Sequence, residues 1–234
     1  MNGKIKAKNS AWHFGKNIPQ KFDVHIKKSV PQYERMQDLI TNLSDFFLKK
    51  NSVCYDIGSS TGTLINKISN RHKDKKIQFY GVEIEKNMIK QAKKIKNGSQ
   101  NNIKYLNQDI KKIKLKKNEM IISCYTMQFM DPKYRQDIIN KIYKSLNWGG
   151  SFIMFEKIRA SDPRFQDIFS QLYLDFKLKN KFSEKEIINK SRSLKGIMEP
   201  FSEYGNLGLL KRAGFVDIIP VMQWVNFKGF LCIK

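Results

Sequence analysis

Short apolar runs alternate along most of the chain with segments in which apolar residues recur every three or four positions. The short runs predict β-strands, and the periodic segments predict amphipathic helices. Strands and helices in alternation are typical of a doubly wound α/β sheet, and two final strands in succession predict a hairpin with an antiparallel edge strand. The predicted strands, about seven in all, cover residues 53–57, 77–82, 103–106, 120–125, 151–155, 216–221 and 227–233.

Predicted helices occupy most of the intervals between these strands. One begins at Ser29-Val30-Pro31 and continues to Phe47, and another begins at Asp131-Pro132 and ends at Trp148-Gly149-Gly150. Residues 1–32 show no repeating pattern, so we expect them to be loosely structured. The remaining helices are predicted at residues 64–68, 86–95 (ended by Asn97-Gly98) and 203–212.

The interval after the fifth strand is too long for a simple crossover. Residues 159–200 are strongly charged with a helical apolar pattern, which predicts a helical cap or a dimerisation element inserted after strand 5. Because no repeat or low-complexity linker is visible, we predict one domain over residues 1–234. Residues 1–50 would form an N-terminal segment and a lid helix, and residues 158–200 would form the cap.

A run of small residues from Gly58 to Gly62 separates the first strand from its helix. Small residues let a ligand approach the backbone, and free N–H groups at a helix start bind carboxylates or phosphates. Glu83 ends the second strand, where an acid can bind the two hydroxyls of a ribose. The loop and the acid together predict a nucleoside site, and the alternative is an α/β turn without a ligand.

The glycine spacing indicates which nucleoside binds. A dinucleotide-binding loop has glycine at its middle position to make room for a pyrophosphate, whereas this chain has Ser60 there. Asp56 precedes Gly58 by two residues, and this D-x-G-x-x-x-G arrangement resembles the first motif of class I S-adenosylmethionine (SAM) enzymes. The ligand of those enzymes has no pyrophosphate.

Three further side chains are candidates for contacts with such a ligand. Asp109 follows the third strand and can accept a hydrogen bond from the exocyclic amine of adenine, with Ile110 against the ring. A turn aspartate is the alternative at this position. Tyr33 precedes the first strand and can direct its hydroxyl at the ligand if its helix folds over the pocket, and a core tyrosine is the alternative.

The net charge is +23 over 234 residues. Dense positive charge attracts phosphate backbones, but 37 of the 44 basic residues are Lys, and they are spread over helix faces and turns. Lys, Ile and Asn are abundant together, as an AT-rich coding sequence produces. We therefore favour a compositional origin over direct nucleic-acid binding, which stays the alternative.

Other functional classes lack sequence support. No apolar run approaches the ~20 residues of a membrane span, and the first residues lack an apolar signal segment, so we expect a cytoplasmic protein. The cysteines are far apart and odd in number, so they suggest neither a disulfide framework nor a zinc site, and the histidines lack metal-ligand spacing. The residues concerned are Cys54, Cys124 and Cys232, and His13, His25 and His72.

Several stretches together resemble the carboxy-S-adenosylmethionine synthases, over nearly the whole chain from about residue 10. Ser29-Val30-Pro31-Gln32-Tyr33 and residues 126–132 are more specific than the glycine loop, which methyltransferases share widely. The other matching stretches are residues 55–60, 141–143, 146–150, 156–157, 175–177, 213–215 and 226–227.

This resemblance implies an enzyme that makes carboxy-SAM from SAM and prephenate and works as a homodimer. A separate partner enzyme then transfers the carboxymethyl group to a hydroxylated wobble uridine of tRNA. The resemblance implies cofactor contacts at Tyr33, Gly58, Ser59, Ser60, Glu83, Ile84, Asp109 and Ile110. The family generally has Asp where this chain has Glu83, a mild change because the longer carboxylate still reaches a ribose diol.

Two departures from the family pattern concern the predicted cofactor contacts at the end of strand 4 and in the cap. Cys124 stands where the family has Asn, and Ser191 stands where it has an Arg that contacts the carboxylate of the modified cofactor. Arg192 is one residue late, about 100° around a helix, and a serine does not replace a bidentate guanidinium. Either Arg192 reaches the site, Lys190 substitutes, or the site no longer holds carboxy-SAM.

Two other functions stay open at this point. One is a methyltransferase on the same scaffold with a small-molecule or RNA acceptor, which Cys124 and Ser191 favour. The other is a non-catalytic nucleotide- or tRNA-binding protein, which the basic composition favours and which Gly58, Glu83 and Asp109 argue against.

Overall fold

The computed structural model describes Ser10, Trp12, Phe14 and residues 18–94 and 103–234. One sheet of seven strands lies at its centre, which confirms the predicted α/β fold. In chain order the strands are β1 (Val53–Ile57), β2 (Gln78–Glu83), β3 (Ile103–Asn107), β4 (Asn118–Cys124), β5 (Leu146–Lys157), β6 (Asp217–Trp224) and β7 (Phe227–Ile233). Their order across the sheet is β3-β2-β1-β4-β5-β7-β6.

The strands β1 to β5 run parallel, so their carboxyl ends meet at one edge of the sheet. The predicted final hairpin with an antiparallel edge strand is present, and the structure shows which of its two strands lies at the edge. β7 is antiparallel to both of its neighbours, β5 and β6, and β6 is the edge strand. β7 is an almost continuously buried run, whereas β6 is largely exposed and contains Pro220, which suits an edge position.

The described helices cover both faces of the sheet. They are α1 (Phe22–Ser29), α2 (Tyr33–Phe47), α3 (Thr63–Arg71), α4 (Lys86–Ala92), α5 (Pro132–Ser145), α6 (Pro163–Lys179), α7 (Glu184–Leu194) and α8 (Glu203–Ala213). The predictions for His13, for Ile95 as a helix end and for the Asn97-Gly98 stop lie outside the described residues.

Three helix predictions need correction. Residues 22–29 form α1 instead of a loose segment, and only Phe22 of this helix is buried, so its apolar signal was weak. α2 begins at Tyr33 because Gln32 adopts a left-handed backbone with φ of 58°. Trp148-Gly149-Gly150 does not end α5 but lies within β5, where Gly149 N donates to the carbonyl of Lys234.

Two apolar clusters fill the layers on either side of the sheet. Ile121 faces the layer of α5 and α8, whereas Ile122 faces the layer of α2 and α3, as the alternation of side chains along a strand requires. Within the part of the chain that the structure describes, no helix is long and apolar enough to cross a membrane.

Candidate active site

A cavity of about 1030 Å³ lies at the carboxyl ends of β1, β2, β4 and β5. Residues of α1, α2, α6 and α7 form its other walls, so the N-terminal helices and the inserted helices face the same space. Lys190 lines the cavity, whereas Arg192 is absent from the described residues that line it. The ten predicted cofactor contacts all line it: Tyr33, Gly58, Ser59, Ser60, Glu83, Ile84, Asp109, Ile110, Cys124 and Ser191.

The glycine loop packs against the loop that follows β4. Gly58 has a φ of 74°, and a Cβ at this position would collide with the side chain of Thr126. Thr126 Oγ1 donates to the carbonyl of Ile57 over 3.2 Å, which joins the two loops. Ser59 lines the cavity, and its Oγ is buried without a hydrogen-bond partner among the described residues.

Glu83, at the end of β2, is hydrogen-bonded to the glycine loop. Its Oε2 accepts a bond of 2.9 Å from Ser60 N, and its Oε1 accepts a bond of 2.9 Å from Glu85 N. Burial raises the pKa of Glu83, and these amide donors oppose that effect. A carboxylate oxygen can accept two hydrogen bonds, so each oxygen of Glu83 can accept a further bond from a ribose hydroxyl.

Asp56, the residue before the last one of β1, lines the cavity together with Glu83. Burial, and then the charge of Glu83, raise the pKa of Asp56 to about 7. Two acids this close favour a ligand that donates hydrogen bonds or carries a positive charge. This half of the cavity therefore suits the hydroxyls, ammonium and sulfonium of SAM.

The predicted adenine contacts lie beyond β3. Asp109 Oδ1 accepts a bond of 2.9 Å from Lys111 N, so this residue caps a turn and also lines the cavity. Its side chain therefore has the turn role that sequence left as the alternative, in addition to its position in the wall. Ile110 is buried, and Ile84 is 63% exposed, so the two offer apolar surface to a ring.

Tyr33 and Cys124 approach each other at the ends of α2 and β4. Burial, and then Cys124, raise the pKa of the Tyr33 phenol. Burial, and then Asp56, raise the pKa of the Cys124 thiol. Both groups are therefore neutral at physiological pH, and the thiol is a much weaker hydrogen-bonding group than an asparagine amide.

Glu156 in β5 orders the loop after β4. Its carboxylate accepts hydrogen bonds from the backbone nitrogens of Thr126, Met127 and Gln128 at 3.1, 2.9 and 2.9 Å. Burial raises the pKa of Glu156 to about 8, and the three amide donors oppose it. Gln128 Oε1 in turn accepts from Lys157 N over 2.9 Å, so the loop and the strand are joined twice.

The inserted helices and the end of β5 contribute three lysines to the site, of which the sequence had singled out only Lys190. Lys157 at the end of β5, Lys177 on α6 and Lys190 on α7 line the cavity. Tyr173 lies one helical turn before Lys177, and its hydroxyl donates to the carbonyl of Ser29 over 2.9 Å. The available signals were a lysine directly after a strand end and a Tyr–Lys pair four residues apart on one helical face.

The described residues contain no group of three or more His, Cys, Asp and Glu side chains that could hold a metal ion. The cavity lining includes the carboxylates of Asp56 and Glu83, from β1 and β2, and the lysines Lys177 and Lys190, from α6 and α7, together with acids on other elements such as Glu186 of α7. Such a site can bind one ligand with positive charge and another with negative charge.

Comparison with known proteins identifies the family. Residues 54–150 match a family model described as a methyltransferase domain. The chain is 34% identical to the carboxy-S-adenosyl-L-methionine synthase of Staphylococcus epidermidis over 224 residues, which cover 95% of this chain and 97% of that protein. The chain belongs to the carboxy-S-adenosyl-L-methionine synthase family. The synthase of Campylobacter lari is also 34% identical, over 95% of this chain and 94% of that protein.

Solved structures share the fold of this synthase family member at low sequence identity. Human N-acetylserotonin methyltransferase in complex with SAM aligns with a TM-score of 0.64 and 15% identity, over 94% of this chain and 56% of that chain. The cyclopropane synthase MmaA2 from Mycobacterium tuberculosis aligns with a TM-score of 0.60 and 12% identity, over 92% and 69%. Family and fold together identify the chain as a SAM-dependent transferase.

Proposed function

We propose that the protein converts SAM and prephenate to carboxy-SAM. The observation that supports this most is the polarity of the cavity, with Glu83 and Asp56 near the glycine loop and lysines on the α6 and α7 walls. A volume of about 1030 Å³ is at the upper end of single-ligand sites, so a nucleoside and a small second substrate fit together.

The overall reaction balances without a further reactant. Prephenate loses a carboxylate as carbon dioxide and its ring hydroxyl as hydroxide, the hydroxide takes a proton from the sulfonium methyl group, and that methyl carbon bonds to the carbon dioxide. Phenylpyruvate and water are the other products. The protein must hold both substrates close together and exclude bulk water.

Lys190 is our candidate to pair with the new carboxylate of the product. It lines the cavity beside Ser191, which occupies the position of the family arginine. Burial, and then Lys177, lower the pKa of Lys190 to about 6, so a carboxylate that enters the site would bind together with a proton. Arg192 is exposed on the same helix and is the weaker candidate.

The product would serve a separate tRNA carboxymethyltransferase that modifies a wobble uridine, as the family resemblance implies. We place both steps in the cytoplasm, where SAM and tRNA are made. The protein itself then needs no tRNA contact, and its basic surface carries no role in the reaction.

We further propose that the protein is a homodimer. α6 has no buried residue, although it carries several large apolar side chains. Such a face favours a partner, because monomers rarely expose large contiguous apolar patches. Sedimentation at micromolar concentration should give twice the chain mass, and the mass of one chain would contradict the dimer. The exposed apolar residues on α6 and α7 are Phe165, Ile168, Leu172, Leu174, Leu178 and Ile188.

The direct test of the activity is an assay with purified protein, SAM and prephenate. We expect carboxy-SAM and phenylpyruvate in equal amounts, with neither formed when prephenate is omitted. The competing function is a methyltransferase with a small-molecule or RNA acceptor, which the replacement of the family residues by Cys124 and Ser191 favours. Unchanged SAM after incubation with prephenate, combined with methyl transfer to another acceptor, would select that function instead.

A further inference from the structure

Lys157, Lys177 and Lys190 line the α6–α7 side of the cavity although they come from three different elements. Among the ion pairs between described residues, none involves these three ammonium groups. All three lysines are partly buried, and lysines that lose most of their contact with water are usually paired with an acid. Three of them in one cavity wall therefore indicate a site for an anion.

Aromatic rings contact these ammonium groups instead of carboxylates. Lys157 Nζ lies 4.4 Å and Lys177 Nζ 4.2 Å from the centre of the Tyr173 ring. The separation of the two nitrogens therefore cannot exceed the sum of these distances. Cation–π contacts compensate only part of the cost of burying a charge. The pair thus presents two neighbouring positive charges to the cavity.

Burial disfavours the charged forms of Lys157 and Lys177, and the charge of Lys177 adds to this effect at Lys157. Burial lowers the pKa of Lys177 to about 8, and burial followed by Lys177 and Arg159 lowers the pKa of Lys157 to about 8. The acid that α7 contributes to this wall is already engaged, because Glu186 Oε2 accepts from both Ser183 N and Ser183 Oγ at 2.9 Å. A ligand with negative charge would relieve the repulsion.

We propose that Lys157 and Lys177 form a subsite for the two carboxylates of a small organic dianion, which is the second substrate of the reaction. This inference rests on the proposed function, which supplies the dicarboxylate prephenate. The subsite lies next to Lys190. The carboxylate that prephenate loses would therefore be close to the position at which carboxy-SAM gains its carboxylate. The nucleoside half of the cavity, around Glu83, takes no part in it.

A steady-state experiment with single variants tests the subsite. Lys157→Met and Lys177→Met should each raise the KM for prephenate by about tenfold or more, because each loses a charge-assisted contact. The Kd for SAM, measured by calorimetry on the same preparations, should stay within twofold and shows that the variants fold. Lys177→Arg should recover part of the loss because it restores the charge.

Lys179→Met is the matched control. Lys179 is on α6 two residues after Lys177, is exposed, and is absent from the described cavity lining. Its replacement by Met changes the net charge of the protein as much as Lys177→Met does. The KM for prephenate should not change in this control. Unchanged KM values in Lys157→Met and Lys177→Met, or an equal loss of SAM affinity, would overturn the subsite.

Failure of the proposed function is distinguishable from failure of the subsite. If the wild-type protein makes no carboxy-SAM, the proposed function is wrong. Calorimetric titration of prephenate and of succinate into the SAM-loaded protein then tests whether the anion subsite exists. Binding of either dianion that Lys177→Met weakens and Lys179→Met preserves would support an anion subsite. Absence of binding to the wild-type protein would overturn it.

Discussion

Glu83 Oε2 accepts a hydrogen bond of 2.9 Å from the backbone nitrogen of Ser60. This bond joins the end of β2 to the glycine loop after β1, so one carboxylate both orders the loop and faces the nucleoside half of the cavity. Two predicted cofactor contacts thus act as one unit, and a change at Glu83 should disturb both.

Replacement of Glu83 by Gln should weaken SAM binding by about tenfold or more, because a charged acceptor for the ribose hydroxyls and for Ser60 N is lost. Glu83→Asp should bind SAM within about threefold of wild type, since the family generally uses that shorter acid. Isothermal calorimetry measures both. Tight SAM binding by Glu83→Gln would show that the ribose is bound elsewhere.

Replacing Lys190 or Arg192, both on α7, by Met removes one positive charge in each case, so the two variants can be compared directly. Lys190→Met should weaken the binding of carboxy-SAM by about tenfold while the Kd for SAM changes less than twofold, because only the product carries the extra carboxylate. Arg192→Met, on the exposed side of the helix, should leave both values unchanged. The reverse pattern would assign the carboxylate to Arg192.

Prephenate affinity should fall as the pH rises through about 8. The pKa values of Lys157 and Lys177 are both lowered to about 8, so in the free protein the two lysines lose their protons near that pH. The dianion binds the protonated forms, and binding must therefore take up protons above pH 8. Calorimetry in two buffers with different ionisation enthalpies measures this uptake. A Kd that is constant between pH 7 and 9.5 would contradict the prediction.

Glu156→Gln should destabilise the protein by about 2 to 3 kcal/mol, because the amide cannot accept all three backbone N–H groups of the loop after β4. For a chain of this size the melting temperature should fall by roughly 4 to 12 °C. Glu184→Gln, at an exposed position of α7, is the control and should melt within about 2 °C of wild type. Equal melting of the two variants would show that Glu156 does not order the loop.

The parallel part of the sheet and its loops were predictable because local pattern determines them. Val53–Ile57 is a buried run that ends in a small-residue loop, and the acid after the second run falls at the same sheet edge by the geometry of parallel strands. The final hairpin was predicted, but strand order within it was not. Which of the two strands lies inside the sheet depends on which one has both of its faces covered in the folded protein, and that strand is β7.

The lysine cluster could not be predicted, because it depends on how α6 and α7 pack over the sheet. Lys157 and Lys177 are 20 positions apart in the sequence, and both contact the Tyr173 ring. In a chain with 37 lysines, composition gives no reason to select these two. Which of Lys190 and Arg192 lines the cavity depends on the rotation of α7, which the sequence does not give; in the structure Lys190 lines it.

The most direct test of the account is the mass of the ligand released from the protein after incubation with SAM and with prephenate labelled with ¹³C at its ring carboxylate. We expect SAM that is heavier by one labelled carbon dioxide, together with phenylpyruvate that carries no label. Release of unmodified SAM or of S-adenosylhomocysteine alone, after incubation with prephenate that remains intact, would contradict it.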